Sequence, residues 1–138
     1  MQSNTITREN VKQLVADFYA KVRKHEALGP IFIGAIGASD ELWNAHIEHI
    51  TAFWTRLLLN EGEFSGQPMK THAELPPFPK ERFGDWLGLW EQTLNEIYTP
   101  QVASGILAKA NQISQRFKFV IYDCGACAAY YRYGGEVE

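Results

Sequence analysis

Apolar residues recur at helical spacing over four long segments of the chain, at about 7–24, 40–60, 80–98 and 100–120. In each segment an apolar residue returns every three or four positions, as expected where one face of a helix packs into a core. No segment alternates apolar and polar residues for long enough to predict a strand. The pattern therefore predicts an all-α domain with four long helices and short additional elements.

Capping residues and helix breakers lie between these segments. Thr7 and Ser39 are N-cap residue types placed directly before a helical pattern. The run Leu28-Gly29-Pro30 is expected to break the first helix, and the residues around Phe32 and Ile36 then form a loosely ordered or short helical link. The boundaries of the long helices are thus set by ordinary start and stop signals.

Only a short helix is predicted between the second and third long helices. Gly62, Gly66 and Pro68 mark a loop, and prolines recur at 76–79. Residues 68–73 therefore have room for little more than one turn of helix, and His72 lies in this segment. The tail from Tyr122 is expected to be a frayed helix end.

Length, composition and charge are those of one ordinary domain. The chain has 138 residues, of which 46% are hydrophobic and 21% charged, and its formal net charge is -3. We expect a single domain over residues 1–138 and no partnership with nucleic acid. The first ten residues lack the apolar core of a secretory signal, and no segment approaches the ~20 apolar residues that cross a bilayer. We therefore expect a cytoplasmic, membrane-free protein, with a monomer as the simplest state.

Three long helices carry a side chain with a polar tip inside the apolar stripe. At about 100° per residue, Tyr19, His46 and Trp86 each lie within about 40° of an apolar neighbour on the same helix. A buried polar atom without a partner costs roughly 1–3 kcal/mol, so each tip needs an acceptor or a ligand. A core role with a nearby carbonyl is the ordinary explanation of each one, because periodicity does not show whether the three meet.

The histidines outside those stripes have other interpretations. His72 sits in a short segment bounded by prolines, and such a rigid carrier suits a metal ligand; the alternative is a surface or capping histidine. His25, at the end of the first helix beside basic residues, is interpreted as a solvated cation stabilised by the helix dipole.

Cys124 and Cys127 form a C-x-x-C motif near the C-terminus. Two cysteines are too few for a scaffold built on disulfides, and a cytoplasmic location keeps thiols reduced, so we expect free or weakly redox-active thiols. With His46 and His49, three residues apart on one helix, they also offer a tetrahedral zinc site. The long separation and the reversed order relative to a zinc finger disfavour zinc.

The order of several motifs resembles the group III truncated haemoglobins, which are bacterial two-over-two globins. The resemblance extends from about Val11 to about Phe117 and is most specific over residues 64–79. The C-x-x-C segment and the tyrosines around it depart from the family's pattern. The matching motifs are Phe18-Tyr19, Leu28-Gly29-Pro30-Ile31-Phe32, Trp43 with His46, Phe53-Trp54, Gly66-Gln67-Pro68-Met69, His72 with Leu75-Pro76, and Phe83 with Trp86-Leu87.

The resemblance implies a truncated globin-like helical sandwich that encloses haem b, iron protoporphyrin IX. It implies that His72 is the metal ligand on the proximal side. Tyr19, His46 and Trp86 would line the distal side. The cofactor-binding set that it implies is Phe32, His46, Ile50, Phe53, His72 and Trp86.

The function implied by the resemblance is tight binding of dioxygen and other diatomic ligands, including nitric oxide, carbon monoxide and cyanide, at ferrous iron. Tyr19 and Trp86 would donate hydrogen bonds to the ligand, so release would be too slow for efficient oxygen transport. A haem-dependent nitric oxide dioxygenase or peroxidase-like enzyme is the alternative, and it needs a reductase that the sequence does not identify. A haem-free helical interaction domain is a third, less favoured hypothesis.

Overall fold

The computed structural model describes residues 2–64, 66–73, 75–124 and 127. Apart from one isolated bridge between Ser3 and Tyr98, these residues contain no strand, so the predicted all-α class is confirmed. A π-helical turn at Phe119–Asp123 continues the last helix. The helices are α1 Arg8–Lys24, α2 Leu28–Ile36, α3 Asp40–Leu59, α4 Pro68–Ala73, α5 Arg82–Ile97 and α6 Pro100–Lys118.

Both predicted N-caps form. The Thr7 hydroxyl accepts the backbone N–H of Asn10, whose side-chain oxygen accepts the N–H of Thr7 in return, which is a reciprocal capping arrangement. Ser39 caps α3 by accepting the N–H of Leu42 at 3.2 Å. Asn60 ends α3 in the left-handed conformation, with φ of 56°. Local capping chemistry therefore fixes the ends of α1 and α3 close to where the sequence predicts them.

The segment after α1 is a regular helix of nine residues, so the short helical link is the correct alternative. Pro30 is tolerated because it lies in the first turn of α2, where its missing N–H leaves no intrahelical bond unmade. His25 caps this turn, since its Nδ1 accepts the N–H groups of Ala27 and Leu28 at 3.1 and 3.0 Å. The prediction of His25 as a solvated cation is therefore wrong: the ring is half-buried and acts as an acceptor.

The helices pack as two pairs, α1 on α3 and α5 on α6, and α1 also contacts α2 and α5. Fully buried apolar side chains of α1 meet those of α5 and α6 between the two pairs. Burying such a side chain stabilises the fold by about 1.5–3 kcal/mol. Among the described residues no helix combines the length and apolarity that a membrane span requires. The fully buried set includes Val11, Leu14, Val15, Phe18, Val22, Leu94 and Ile106.

Only part of the apolar stripe of α3 is buried in this core. Trp43 and Trp54 are 2% and 3% exposed, whereas Leu42 and Leu57 remain 51% and 41% exposed. The apolar stripe of α3 is wider than the part of the helix that packs on α1. The rest of its inner face, which carries His46, is left to line a cavity.

Gly37, between α2 and α3, is expected to be a sensitive position for stability. Its φ of 118° is one that L side chains rarely adopt, and an added Cβ would lie 2.5 Å from Cδ1 of Leu42. Its carbonyl also accepts the indole N–H of Trp43 at 2.7 Å. We expect Gly37→Ala to lower the free energy of unfolding by about 1–3 kcal/mol, measured by urea denaturation.

Gly34→Ala is the matched control, because a Cβ at Gly34 would have no neighbour within 4 Å and alanine favours helix. This control is expected to be neutral or stabilising. Equal losses of stability in the two variants would contradict the assignment of strain to Gly37.

Candidate functional site

A cavity of about 360 Å³ lies between α3, α4, α5 and α6 and is closed on one side by α1. A second lobe of about 120 Å³ shares several of its walls and extends between α2 and the start of α5. The combined space is in the range of small-molecule and cofactor sites. The structure brings all the sequence-predicted site residues to this cavity, namely Tyr19, Phe32, His46, Ile50, Phe53, His72 and Trp86.

The imidazole of His72 is held in one tautomer. Its Nδ1 lies 2.7 Å from the carbonyl oxygen of Pro68, one turn earlier on α4, so Nδ1–H donates to that oxygen. Nε2 therefore keeps its lone pair. Burial lowers the pKa of His72, although the bond to Pro68 opposes this shift. A neutral ring with a free Nε2 lone pair is the form that binds a metal ion.

Tyr19 and His46 meet across the cavity from α1 and α3. The Tyr19 hydroxyl lies 3.2 Å from Nε2 of His46, and the two rings meet edge to face at 5.0 Å. Burial raises the pKa of Tyr19 well above its usual range, so the phenol stays protonated. Burial, together with the charges of His49 and His72, lowers the pKa of His46 to about 4. Both groups are therefore neutral at pH 7.

The direction of the Tyr19–His46 bond depends on the tautomer of His46. If the proton is on Nδ1 of His46, the Tyr19 hydroxyl donates to Nε2. If it is on Nε2, His46 donates to the phenol oxygen, and the Tyr19 O–H is free to donate to a ligand. This pair can therefore turn a donor toward the cavity without a change of charge.

Trp86 lies on the α5 wall of the cavity within an aromatic stack. Its ring is parallel to that of Trp90, with centroids 6.1 Å apart, and it meets Phe18 edge to face at 6.0 Å. Among the described residues no acceptor is found for its indole N–H. The stack fixes the plane of the ring, so a ligand in the cavity would meet a preoriented donor.

Several wall residues were not singled out from the sequence. The most informative is Phe117 of α6, whose ring packs on that of His72 with centroids 4.3 Å apart. Trp90, part of the α5 stripe, has a buried Nε1 with no hydrogen-bond partner among the described residues. His49, considered from the sequence only for the zinc alternative, lines the cavity and contacts the ring of Phe64. Helical periodicity places Phe117 and Trp90 on apolar faces but does not show what they contact.

The cysteines differ from expectation. Cys124 and Cys127 form a disulfide, so the prediction of free thiols is wrong, whereas the alternative of weakly redox-active cysteines stays a prediction. Their three-residue separation places the Cα atoms 5.4 Å apart, within the usual range for a disulfide. The bond also removes both thiolates from the zinc alternative, and the described residues contain no cluster of three or more metal-binding side chains.

The donor set fits a metal that brings most of its own ligands. His72 presents an oriented imidazole on a wall that is mostly apolar and aromatic, and His46 and His49 are the other imidazoles of the cavity lining. The described residues contain no group of three or more side chains placed to bind a bare cation, whereas the iron of a porphyrin needs one imidazole from the protein and apolar contacts for its ring. The residues present therefore fit haem.

Comparison with known proteins shows similarity to group III truncated haemoglobins over most of the chain. It is 46% identical over 125 residues to the Group 3 truncated hemoglobin ctb of Campylobacter jejuni, covering 91% of this chain and 98% of the relative. The crystal structure of a group III truncated hemoglobin from Campylobacter jejuni superposes with a TM-score of 0.88, at 46% identity and the same coverage. No family model matches the chain.

Proposed function

The chain belongs to the group III truncated haemoglobins, and from that premise we propose that it binds haem b in the cavity with His72 as the proximal iron ligand. We further propose that dioxygen and other diatomic ligands bind tightly on the opposite side, where Tyr19 and Trp86 donate hydrogen bonds. The remaining contacts to the cofactor would come from Phe32, His46, Ile50 and Phe53.

The observation that carries this proposal is the hydrogen bond between His72 and Pro68. Metal-binding histidines commonly donate their second ring N–H to a carbonyl or carboxylate, which orients the ring and fixes its tautomer. Here Nδ1–H donates to Pro68 at 2.7 Å, and Nε2 keeps a lone pair on a wall of the cavity. This bond leaves Nε2 as the ring atom available to a metal ion.

When bound, haem would supply a ferrous iron able to bind a diatomic ligand and to give bound dioxygen partial negative charge. The Tyr19 O–H and the Trp86 N–H would then donate to an acceptor with charge, and such bonds are worth about 1.5–3 kcal/mol. The apolar walls exclude water, which would otherwise compete for the donors. Together these residues favour slow release and thus oxygen storage or sensing over transport.

An enzymatic function is favoured by one specific observation. The Tyr19 hydroxyl and Nε2 of His46, 3.2 Å apart, form a pair that can hold or pass a proton beside a bound ligand. Nitric oxide dioxygenase or peroxidase-like turnover would use such a pair and would require electrons from a reductase. This second candidate shares the haem site and differs in whether the bound ligand is consumed.

The proposal includes a monomeric cytoplasmic protein that receives electrons from an unidentified reductase. The formal net charge of -3 gives no reason to expect nucleic acid or an acidic membrane surface as a partner. Carbon monoxide, nitric oxide and cyanide would compete with dioxygen for the same position.

The test of the proposed function is spectroscopic. We expect the protein to take up equimolar haemin with a strong Soret band, and after reduction to hold dioxygen far longer than a globin without distal donors. Nitric oxide is then added to the oxygenated protein. Rapid nitrate formation that repeats with added reductant would support the dioxygenase, and a stable ligand complex would support binding alone. A chain that stays colourless with haemin contradicts both.

A further inference from the structure

The Cys124–Cys127 disulfide lies at the end of the π-helical turn and has no role in the proposed haem site. The turn continues from α6 and closes with a bond from the N–H of Cys124 to the carbonyl of Phe119 at 2.8 Å. The N–H of Cys127 then donates to the carbonyl of Cys124 at 3.2 Å. The covalent link therefore closes the chain directly after this turn.

This disulfide is poorly suited to a purely structural role. It closes a loop with only two residues between the cysteines, and the stabilisation that a cross-link gives by restricting the unfolded chain is smallest for short loops. Both cysteines are only partly buried, so neither is enclosed in the core. Accessible disulfides are typically the labile, regulatory or catalytic ones.

Residues next to the disulfide connect it to His72. The Tyr122 hydroxyl donates to the carbonyl of Phe78 at 2.5 Å, which ties the π-helical turn to the loop after α4. The Tyr122 ring also contacts those of Phe78 and Phe83, with centroids 6.3 and 6.4 Å apart.

The ring contacts continue from Phe83 to Phe117, whose ring centroids lie 6.3 Å apart. Phe117 in turn packs on His72 at 4.3 Å. The π-helical turn also contacts α4 itself. A continuous set of packed rings therefore runs from Tyr122, two residues before Cys124, to the imidazole.

We propose that Cys124 and Cys127 form a reversible thiol–disulfide couple that exchanges with low-molecular-weight or protein dithiols and sets the order of the segment that carries His72. A thiolate of the external dithiol attacks one sulfur, the Cys124–Cys127 bond breaks, and a mixed disulfide forms. The second external thiol resolves it. The two cysteines gain two electrons and two protons, and the reductant leaves as a disulfide. In the reduced state the π-helical turn loses its covalent closure, and Tyr122 holds the Phe78 loop less firmly.

This inference goes beyond ligand binding and does not depend on it, because thiol exchange and segment order are measured without a haem signal. The full-length chain is equilibrated in buffers of reduced and oxidised dithiothreitol, quenched and alkylated for mass spectrometry. Parallel samples undergo amide hydrogen exchange. We expect one reversible two-electron transition between no alkyl groups and two. On reduction, exchange should become several-fold faster over residues 66–83 and stay unchanged in α1.

Three variants separate coupling from general loss of stability. The double variant Cys124→Ser/Cys127→Ser should exchange like the reduced protein and ignore the reductant. Tyr122→Phe should keep the thiol transition but exchange rapidly over 66–83 in both states. Tyr98→Phe, whose hydroxyl bonds Asn10 elsewhere in the fold, should keep the full response. Alkylation of both thiols in fully oxidising buffer, or a thiol transition that leaves exchange over 66–83 unchanged, would overturn the proposal.

Discussion

Replacing His72 with alanine is expected to abolish stable haem binding. The variant removes the imidazole whose Nδ1–H bond to Pro68 leaves the Nε2 lone pair free on the cavity wall, and the described residues contain no group of three or more metal-binding side chains to replace it. We expect the Soret band to be lost or reduced to that of loosely bound haemin, and affinity for haemin to fall by two or more orders of magnitude, as loss of an axial metal bond predicts. Absorption spectra during haemin titration measure this directly.

Two controls separate loss of the ligand from loss of the fold. His25→Ala removes a histidine that caps α2 and does not line the cavity, and it should keep the Soret band at the cost of some stability. Added imidazole should restore haem binding to His72→Ala, because the vacated space lies beside Phe117 and fits the free ring. A His72→Ala protein with an unaltered spectrum would show that another residue, such as His46, holds the iron.

Removing either distal donor is expected to speed oxygen release from the reduced, haem-loaded protein. Each hydrogen bond to an acceptor with charge contributes about 1.5–3 kcal/mol, which corresponds to about tenfold to about 150-fold in the release rate. We expect Tyr19→Phe and Trp86→Leu each to fall in this range. The double variant should release oxygen faster than either single one. Stopped-flow displacement of oxygen by carbon monoxide gives the rates.

Matched variants test whether the N–H and O–H groups themselves are responsible. Trp86→Phe keeps a ring in the stack with Trp90 and loses the indole donor, so it should behave like Trp86→Leu. Tyr98→Phe deletes a buried hydroxyl that bonds Asn10 outside the cavity and should leave release unchanged. If Tyr19→Phe and Trp86→Leu both release oxygen at the rate of the unaltered protein, the donor assignment is incorrect.

The long helices were predictable because each buries one continuous apolar face and has its own caps. Thr7 and Ser39 act on backbone groups three residues away, so the sequence contains both partners of each bond. The same holds for His72 on its short helix, since the prolines that bound α4 are visible in the chain. These features depend on interactions between near neighbours.

Helical periodicity does not predict the contacts that depend on how two helices cross. Tyr19 and His46 could be placed on their own stripes, but their 3.2 Å contact is set by the packing of α1 on α3. The contact of Phe117 with His72 likewise depends on the approach of α6 to α4. The family resemblance predicted that Tyr19, His46 and Trp86 lie around one cavity. Nothing in the sequence predicted the contact between Phe117 and His72.

The error at His25 has a local cause that is visible only in three dimensions. Gly29 allows α2 to begin directly against the end of α1, since an added Cβ there would lie 3.0 Å from the carbonyl of Arg23. This sharp approach turns the first N–H groups of α2 toward the His25 ring. The basic neighbours of His25 indicated a solvated ring. They contain no information about the turn that brings the N–H groups of α2 to this ring.

Two adjacent residues of α1, Phe18 and Tyr19, couple the packing of the core to the shape of the cavity. Phe18 and Tyr19 are both buried in the core, and both also line the cavity. Any substitution that slides or rotates this helix to repair packing also displaces the phenol by a comparable amount. If the protein binds gas as proposed, affinity and thermal tolerance would therefore not be tuned independently through α1, and variants selected for one trait at this helix would carry a correlated change in the other.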